Sequence, residues 1–261
     1  MGGIAACLCI ACGGNDSKDY WGDTSGGEDE EPTENPNASK PRYIWIDAAA
    51  NFPDFANSKE NIARDLALAK DAGFTDIVVD VRPTTGDVLF KTNLVDQVKF
   101  MYAWIGSNYT KVERTATWDY LQAFVDEARK QGLRIHAAIN TFVGGNQIDG
   151  GTGLLYRDQS KAEWATQMNM QVGITSVMNT SESTKFFNPA HPEVQTFLCD
   201  LLKDLAGYDL DGIFLDRGRF LNLQADFSDE SRKQFENYMG GIKIPNYPND
   251  ILAPGASSLP A

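Results

Sequence analysis

Tyr208–Phe220 reads YDLDGIFLDRGRF. A tyrosine and an acidic pair lead into Gly212; the apolar run Gly212-Ile-Phe-Leu follows, and then Asp216, Arg217 and Arg219 arrive together. A short apolar run bounded by turn residues predicts a buried strand of a parallel sheet. Asp216 then stands where that strand ends, and the carboxyl ends of parallel strands are where α/β folds bind ligands. Taken alone, Asp216 is a solvated strand-end acid paired with Arg217 or Arg219. The other strands change that reading.

Upstream of this stretch the same unit repeats. Tyr43-Ile-Trp-Ile-Asp47 is the first strand candidate, and a helix follows with Ser58 as N-cap, Glu60 in the first turn and a stripe of Ile62, Leu66, Ala69 and Ala72 closed by Gly73. Thr75–Val81 is the second strand, ended by Arg82-Pro83. Residues 84–116 form a long connection; the second helix runs from Thr117 as N-cap to Gly132 as C-cap, and Leu133–Asn140 is the third strand. Residues 141–190 form another long connection, whose middle, 162–179, fits a hairpin better than a helix. Pro192 opens the third helix, Leu210–Leu215 is the fourth strand, and Ser228–Met239 is the fourth helix. Four βα units in succession predict a parallel sheet with right-handed crossovers: a (β/α)8 barrel or an open doubly wound sheet. No Gly-rich phosphate loop follows the first strand, which counts against a dinucleotide cofactor. No cofactor is expected.

Side chains alternate across a strand. One set, Ile44/Ile46, Ile77/Val79/Val81, Ile135/Ala137/Ile139 and Ile213/Leu215, is aliphatic and suits the face that helices cover. The other is Tyr43/Trp45/Asp47, Val78/Asp80/Arg82, His136/Ala138/Asn140 and Gly212/Phe214/Asp216, and in every strand it finishes on a polar or charged residue. Buried parallel strands are normally apolar on both faces, and an unpaired buried charge is costly. The pattern therefore predicts a polar mouth at one end of a barrel, or else an ion-pair network joining Asp80 or Asp216 to Arg82.

Metal spacing of Cys and His is absent, and the two histidines, His136 and His191, lie near no nucleophile-like turn. An aspartate beside arginine, with asparagine, histidine and loop aromatics, suits a polyhydroxylated ligand. The loop aromatics Trp104, Tyr109, Trp118 and Trp164 are candidates to stack on sugar rings, although each singly is also a packing residue.

Five stretches together carry a resemblance: IWIDA from Ile44, AGFTDIVVDVRP from Ala72, GLRIHAAIN from Gly132, FFNPAHPEV from Phe186 and YDLDGIFLDRGRF from Tyr208. Over roughly 42–240 the chain resembles the glycosyl hydrolase-like family 10 proteins, (β/α)8-barrel domains of bacterial surface lipoproteins. The Asp216 segment is also similar to the fourth strand of α-amylase-type barrels, whose aspartate is the nucleophile of a retaining mechanism. The resemblance implies a carbohydrate substrate and Asp216 as nucleophile or charge stabiliser. It implies that Arg82, Asn140 and Arg219 bind substrate hydroxyls or keep Asp216 ionised; Asp47, Asp80, His136 and Trp118 complete the candidate substrate-binding set. A retaining glycosidase needs a second carboxyl about 5–5.5 Å away as general acid, which in amylase-like barrels follows the next strand. Residues 41–240 hold only about four of eight units, and 241–261 read as an irregular tail. The expectation is therefore the N-terminal part of a longer protein, with an incomplete active site. A non-catalytic glycan-binding lipoprotein is the alternative.

The remaining features concern location. The net charge of −13 over 261 residues argues against a nucleic-acid partner. Residues 1–12, MGGIAACLCIAC, resemble the end of a bacterial lipoprotein signal with Cys12 as the acylated residue, and the Gly-, Ser-, Pro- and acid-rich 13–40 reads as a disordered spacer. Together they predict a lipid-anchored domain of the bacterial cell envelope, facing periplasm or cell surface, with no membrane contact other than the anchor.

Overall fold

The computed structural model describes residues 40–256 and Ser258. The signal-like segment, Cys12 and nearly all of the spacer lie outside the described residues. Four parallel strands, β1 (Tyr43–Ile46), β2 (Asp76–Arg82), β5 (Arg134–Asn140) and β10 (Gly212–Asp216), form one sheet in the order β1-β2-β5-β10. Four main helices accompany them: α1 (Lys59–Asp71), α2 (Tyr120–Gln131), α3 (Pro192–Leu205) and α4 (Asp229–Tyr238).

Local chemistry accounts for these boundaries. Ser58 caps α1 by accepting the Asn61 amide, as expected. For α2 the cap is Asp119, not Thr117: its carboxylate accepts the Gln122 amide, and Gly132 ends the helix at φ +63°. A serine-, threonine- or aspartate-x-x-glutamine spacing signals such a cap, and Thr117 stands two residues too early to make it. His191 precedes Pro192 and caps α3 through its ring Nδ1.

The long connections hold three antiparallel pairs. Residues 84–116 contain β3 (Phe100–Ile105) and β4 (Asn108–Glu113). After β5 come β6 (Val143–Asn146) with β9 (Thr184–Phe186), and between them β7 (Gln167–Met170) with β8 (Gly173–Ser176), the hairpin expected within 162–179. The segment after α4 has no helix or strand among its described residues, yet it docks. Glu236 accepts from Lys243 Nζ at 2.6 Å and from the Ile244 amide at 3.2 Å, and Asn169 Nδ2 donates to the Leu252 carbonyl at 2.8 Å.

The aliphatic set forms the core between sheet and helices: Ile46, Ile77, Val79, Val81, Ile135 and Ile139 are all buried. At the outer strand that cover thins, and Leu215 is 42% exposed. On the opposite face Tyr43, Trp45 and Phe214 are also exposed and meet edge-on, Phe214 lying 6.1 Å from Tyr43 and 5.6 Å from Trp45.

Candidate active site

Asp47, Asp80 and Asp216 stand at the carboxyl ends of β1, β2 and β10. Asp47 is exposed, and one of its oxygens folds the turn that follows, accepting the amides of Ala49 at 2.8 Å and Ala50 at 2.7 Å. Asp216 is exposed as well; its Oδ1 accepts the Arg217 amide at 2.7 Å, and its carbonyl accepts the Thr141 amide at 2.7 Å. The chain leaves the strand through Arg217 at φ +46°, a left-handed conformation in a non-glycine residue. Such outliers concentrate at functional sites.

Asp80 is the buried member of the trio. Loss of water pushes its carboxyl up to about 7; the charges of Asp47 and Asp216 add to the rise, and the amides of Arg82 and Ala48 oppose it. The Arg82 amide donates to Asp80 Oδ1 at 3.2 Å. Near neutral pH this group is shared between its proton-donating and accepting forms.

Arg82 departs from the sequence expectation. Between Asp80 and Arg82 the β2 register slips, so that Arg82 stands level with Ile139 of the helix-facing set and not with Asn140. A bulge of this kind breaks the alternation from which the mouth position was inferred. The side chain is fully buried, its guanidinium donating to the carbonyls of Asn140, Thr141 and Val143. Burial lowers its pKa to about 10 against the pull of Asp87 and Asp80. Arg82 ties strand ends together and offers no surface to a ligand. Nor does an Asp–Arg82 ion-pair network form, because its partners are carbonyls. Asn140 is buried and level with Asp216, its Nδ2 donating to the Arg82 carbonyl at 2.9 Å.

His136 is likewise displaced from the mouth. It lies near the amino end of β5, level with Gly212 and Val78, and its Nε2 is 2.9 Å from Asp76 Oδ1 in a buried pair. Alternation identified its face but not its height. Arg219 is exposed and donates only to the carbonyls of Phe220 and Leu221, both at 3.3 Å; among the described residues no ion pair joins it or Arg217 to Asp216. Trp118 lies parallel to Tyr120 at 6.3 Å, with the cations of Arg114 and Lys59 over its ring at 5.1 and 5.5 Å. It lines a separate cleft of about 880 Å³ with Lys91, Asp119 and Asp204. Trp164 is buried against Phe187 and Phe197 and serves as a packing residue.

Tyr120 was missed. It is 1% exposed, its hydroxyl has no hydrogen-bond partner among the described residues, and burial raises its pKa with help from the charges of Asp80 and Asp47. Its place directly after the Asp119 cap was the available signal. Among the described residues no group of three His, Cys, Asp or Glu side chains is arranged to hold a metal ion.

Carboxylates at the strand ends of a parallel, helix-covered sheet place the candidate site where α/β folds bind ligands. The chain belongs to the glycosyl hydrolase-like 10 family, whose model matches residues 40–251. An S-layer-related protein of Niallia circulans is 31% identical over 217 residues, a match that covers 80% of this chain and 13% of the relative. Alpha-L-fucosidase isoenzyme 2 from Paenibacillus thiaminolyticus superposes with a TM-score of 0.51 at 18% identity, over 83% of this chain and 28% of that enzyme. This chain thus spans a small part of both the S-layer-related relative and the fucosidase.

Proposed function

We propose that the chain supplies the nucleophile-bearing part of a glycoside hydrolase acting on an oligo- or polysaccharide. The observation that carries the proposal is the carboxylate trio: Asp47, Asp80 and Asp216 stand at the carboxyl ends of three strands of one parallel sheet, Asp80 buried and the other two exposed. In this proposal Asp216 is the nucleophile or charge stabiliser, aimed by the Arg217 amide on its Oδ1. Asp80, poised near neutrality, bonds a sugar hydroxyl as donor or acceptor, and Asp47 uses its free oxygen likewise. Arg82 and Asn140 act behind them, fixing the strand ends on which the carboxylates stand.

The four-stranded sheet is, on this proposal, the first half of a (β/α)8 barrel. The exposed Tyr43, Trp45 and Phe214 and the exposed Leu215 of the outer strand support it, since barrel closure buries that face and pairs that edge. A general acid is then sought on the strand that pairs with β10. Family membership supports a carbohydrate substrate. Placement at the bacterial cell envelope, through lipid on Cys12, is part of the proposal and rests on the signal-like sequence of residues 1–12.

The test is a screen of the full-length protein against neutral oligosaccharides for released reducing ends, alongside binding to the same panel. Turnover that depends on Asp216 supports the proposal. Glycan affinity without turnover in the full-length protein overturns it in favour of a binding lipoprotein.

A further inference from the structure

The β3–β4 hairpin carries aromatic side chains that the fold does not use. In its register Phe100 faces Glu113, Tyr102 faces Lys111, and Trp104 faces Tyr109, all on one face. The opposite face holds Met101 and Ala103, buried at 5% and 2% exposure, and it attaches the hairpin to the domain. Packing is thereby satisfied by one face alone. On the other, Trp104 is 68% and Tyr109 57% exposed, and no described residue covers them.

These rings are nonetheless ordered relative to one another. Tyr109 lies 5.4 Å from Tyr102 at an interplanar angle of 28°, and 5.3 Å from Trp104 at 45°. Asp149 fixes the base of the ladder, accepting the Tyr102 hydroxyl at 2.9 Å and Lys111 Nζ at 2.6 Å, while Lys111 sits 4.0 Å over the Phe100 ring. Cross-strand aromatic pairs stabilise a hairpin, but that need is met without leaving the outermost two rings in water.

The hairpin belongs to the connection that leaves the carboxyl end of β2, and Asp149 to the one that leaves β5. Both therefore rise from the same end of the sheet as Asp80 and Asp216. We propose that the Tyr102–Tyr109–Trp104 ladder is a remote subsite that holds a neutral polysaccharide chain. Sugar rings present flat C–H faces to aromatic rings and hydroxyls to polar edges, and a ladder interleaved with Lys111, Glu113 and Asp149 offers both. The net charge of −13 disfavours an acidic glycan. The proposal rests on the carbohydrate reading above and adds to it the place where the chain is held.

Affinity electrophoresis of the full-length protein through gels containing β-glucan, mannan, neutral xylan or starch, with polygalacturonate as the acidic control, tests it. Retardation by at least one neutral polymer is expected, at least tenfold weaker in Trp104→Ala and in Tyr109→Ala and largely restored in Trp104→Phe. Because both rings are exposed, circular dichroism and melting of the variants should match wild type. Retardation that survives Trp104→Ala and Tyr109→Ala overturns the subsite, and so does no retardation by any neutral polymer. Self-association that disappears in Trp104→Ala, without glycan retardation, also overturns it and assigns the face to a second copy. The two proposals fail separately: Asp216-dependent turnover of short oligosaccharides with Trp104-independent polymer retardation leaves the catalytic reading standing. Trp104-dependent retardation without turnover removes the catalytic reading and keeps the subsite.

Discussion

The Asn140 side-chain amide donates to the Arg82 carbonyl at 2.9 Å, and the Arg82 guanidinium returns a bond to the Asn140 carbonyl. This reciprocal clasp joins β2 to β5 beside Asp216, which is level with Asn140. It explains how a fully buried arginine is retained without a carboxylate partner. Its guanidinium donates to three main-chain oxygens, those of Asn140, Thr141 and Val143.

Arg82→Met should therefore destabilise the domain by at least about 2 kcal/mol, because it removes three buried hydrogen bonds from a charged donor, each contributing roughly 1.5–3 kcal/mol at most. Arg82→Lys should recover only part of the loss, since an ammonium cannot reproduce the fork. Urea unfolding measures both. A neutral Arg82→Met would remove the clasp from the account.

Asp80 sets a pH dependence. Folded, it holds its proton to about pH 7, whereas an unfolded aspartate loses its proton near pH 4. Between those values the native state binds more protons than the unfolded one, so this group makes stability fall as pH rises, by at most about 4 kcal/mol. Asp80→Asn keeps an oxygen for the Arg82 amide and removes the ionisation. Thermal melts should show the variant gaining on wild type from pH 4 to pH 8. A gap that stays constant with pH contradicts the buried-acid assignment.

Gly212 begins β10 because His136 occupies the space beside it. A Cβ at Gly212 would lie 2.9 Å from His136 Nδ1, while His136 is held by Asp76 at 2.9 Å on its other nitrogen. Gly212→Ala should cost about 1–3 kcal/mol and leave glycan turnover intact, since this pair sits at the amino end of the sheet. Loss of turnover at unchanged stability would mean that His136 serves the chemistry after all.

Glu236 clips the C-terminal segment to α4. Contacts from Lys243, the Ile244 amide and Arg232 hold its carboxyl down to about 2. With a folded pKa below the unfolded one, its contribution is present above about pH 4.5 and fades as pH falls towards 2. Glu236→Ala should expose residues after Tyr238 to protease at neutral pH, as wild type does only in acid. Equal resistance of the two proteins would show that other contacts hold the segment.

The sheet was legible because its strands are short apolar runs separated by capped helices, and Gly212-Ile-Phe-Leu with its charged exit is the plainest of them. Asp47, Asp80 and Asp216 followed from counting alternate residues to the strand ends. Arg82 defeated the same count because one slipped residue turns a side chain to the other face, and no composition signal marks that slip. His136 was assigned by face alone, although two strand residues can share a face and lie at opposite ends of the sheet. The β3–β4 hairpin was readable in principle: Phe100, Tyr102 and Trp104 alternate with Met101 and Ala103 up to Gly106, which turns at φ +61°. Its length of connection concealed it.

In the proposed function Asp216 performs the chemistry. Turnover of a neutral oligosaccharide by the full-length protein and by Asp216→Asn, measured side by side with melting temperature, tests it most directly. Asp216→Asn is predicted to lose at least about a thousandfold in kcat, roughly 4 kcal/mol of transition-state stabilisation, while melting within about 2 °C of wild type and still binding glycan. Undiminished turnover in Asp216→Asn would contradict the assignment.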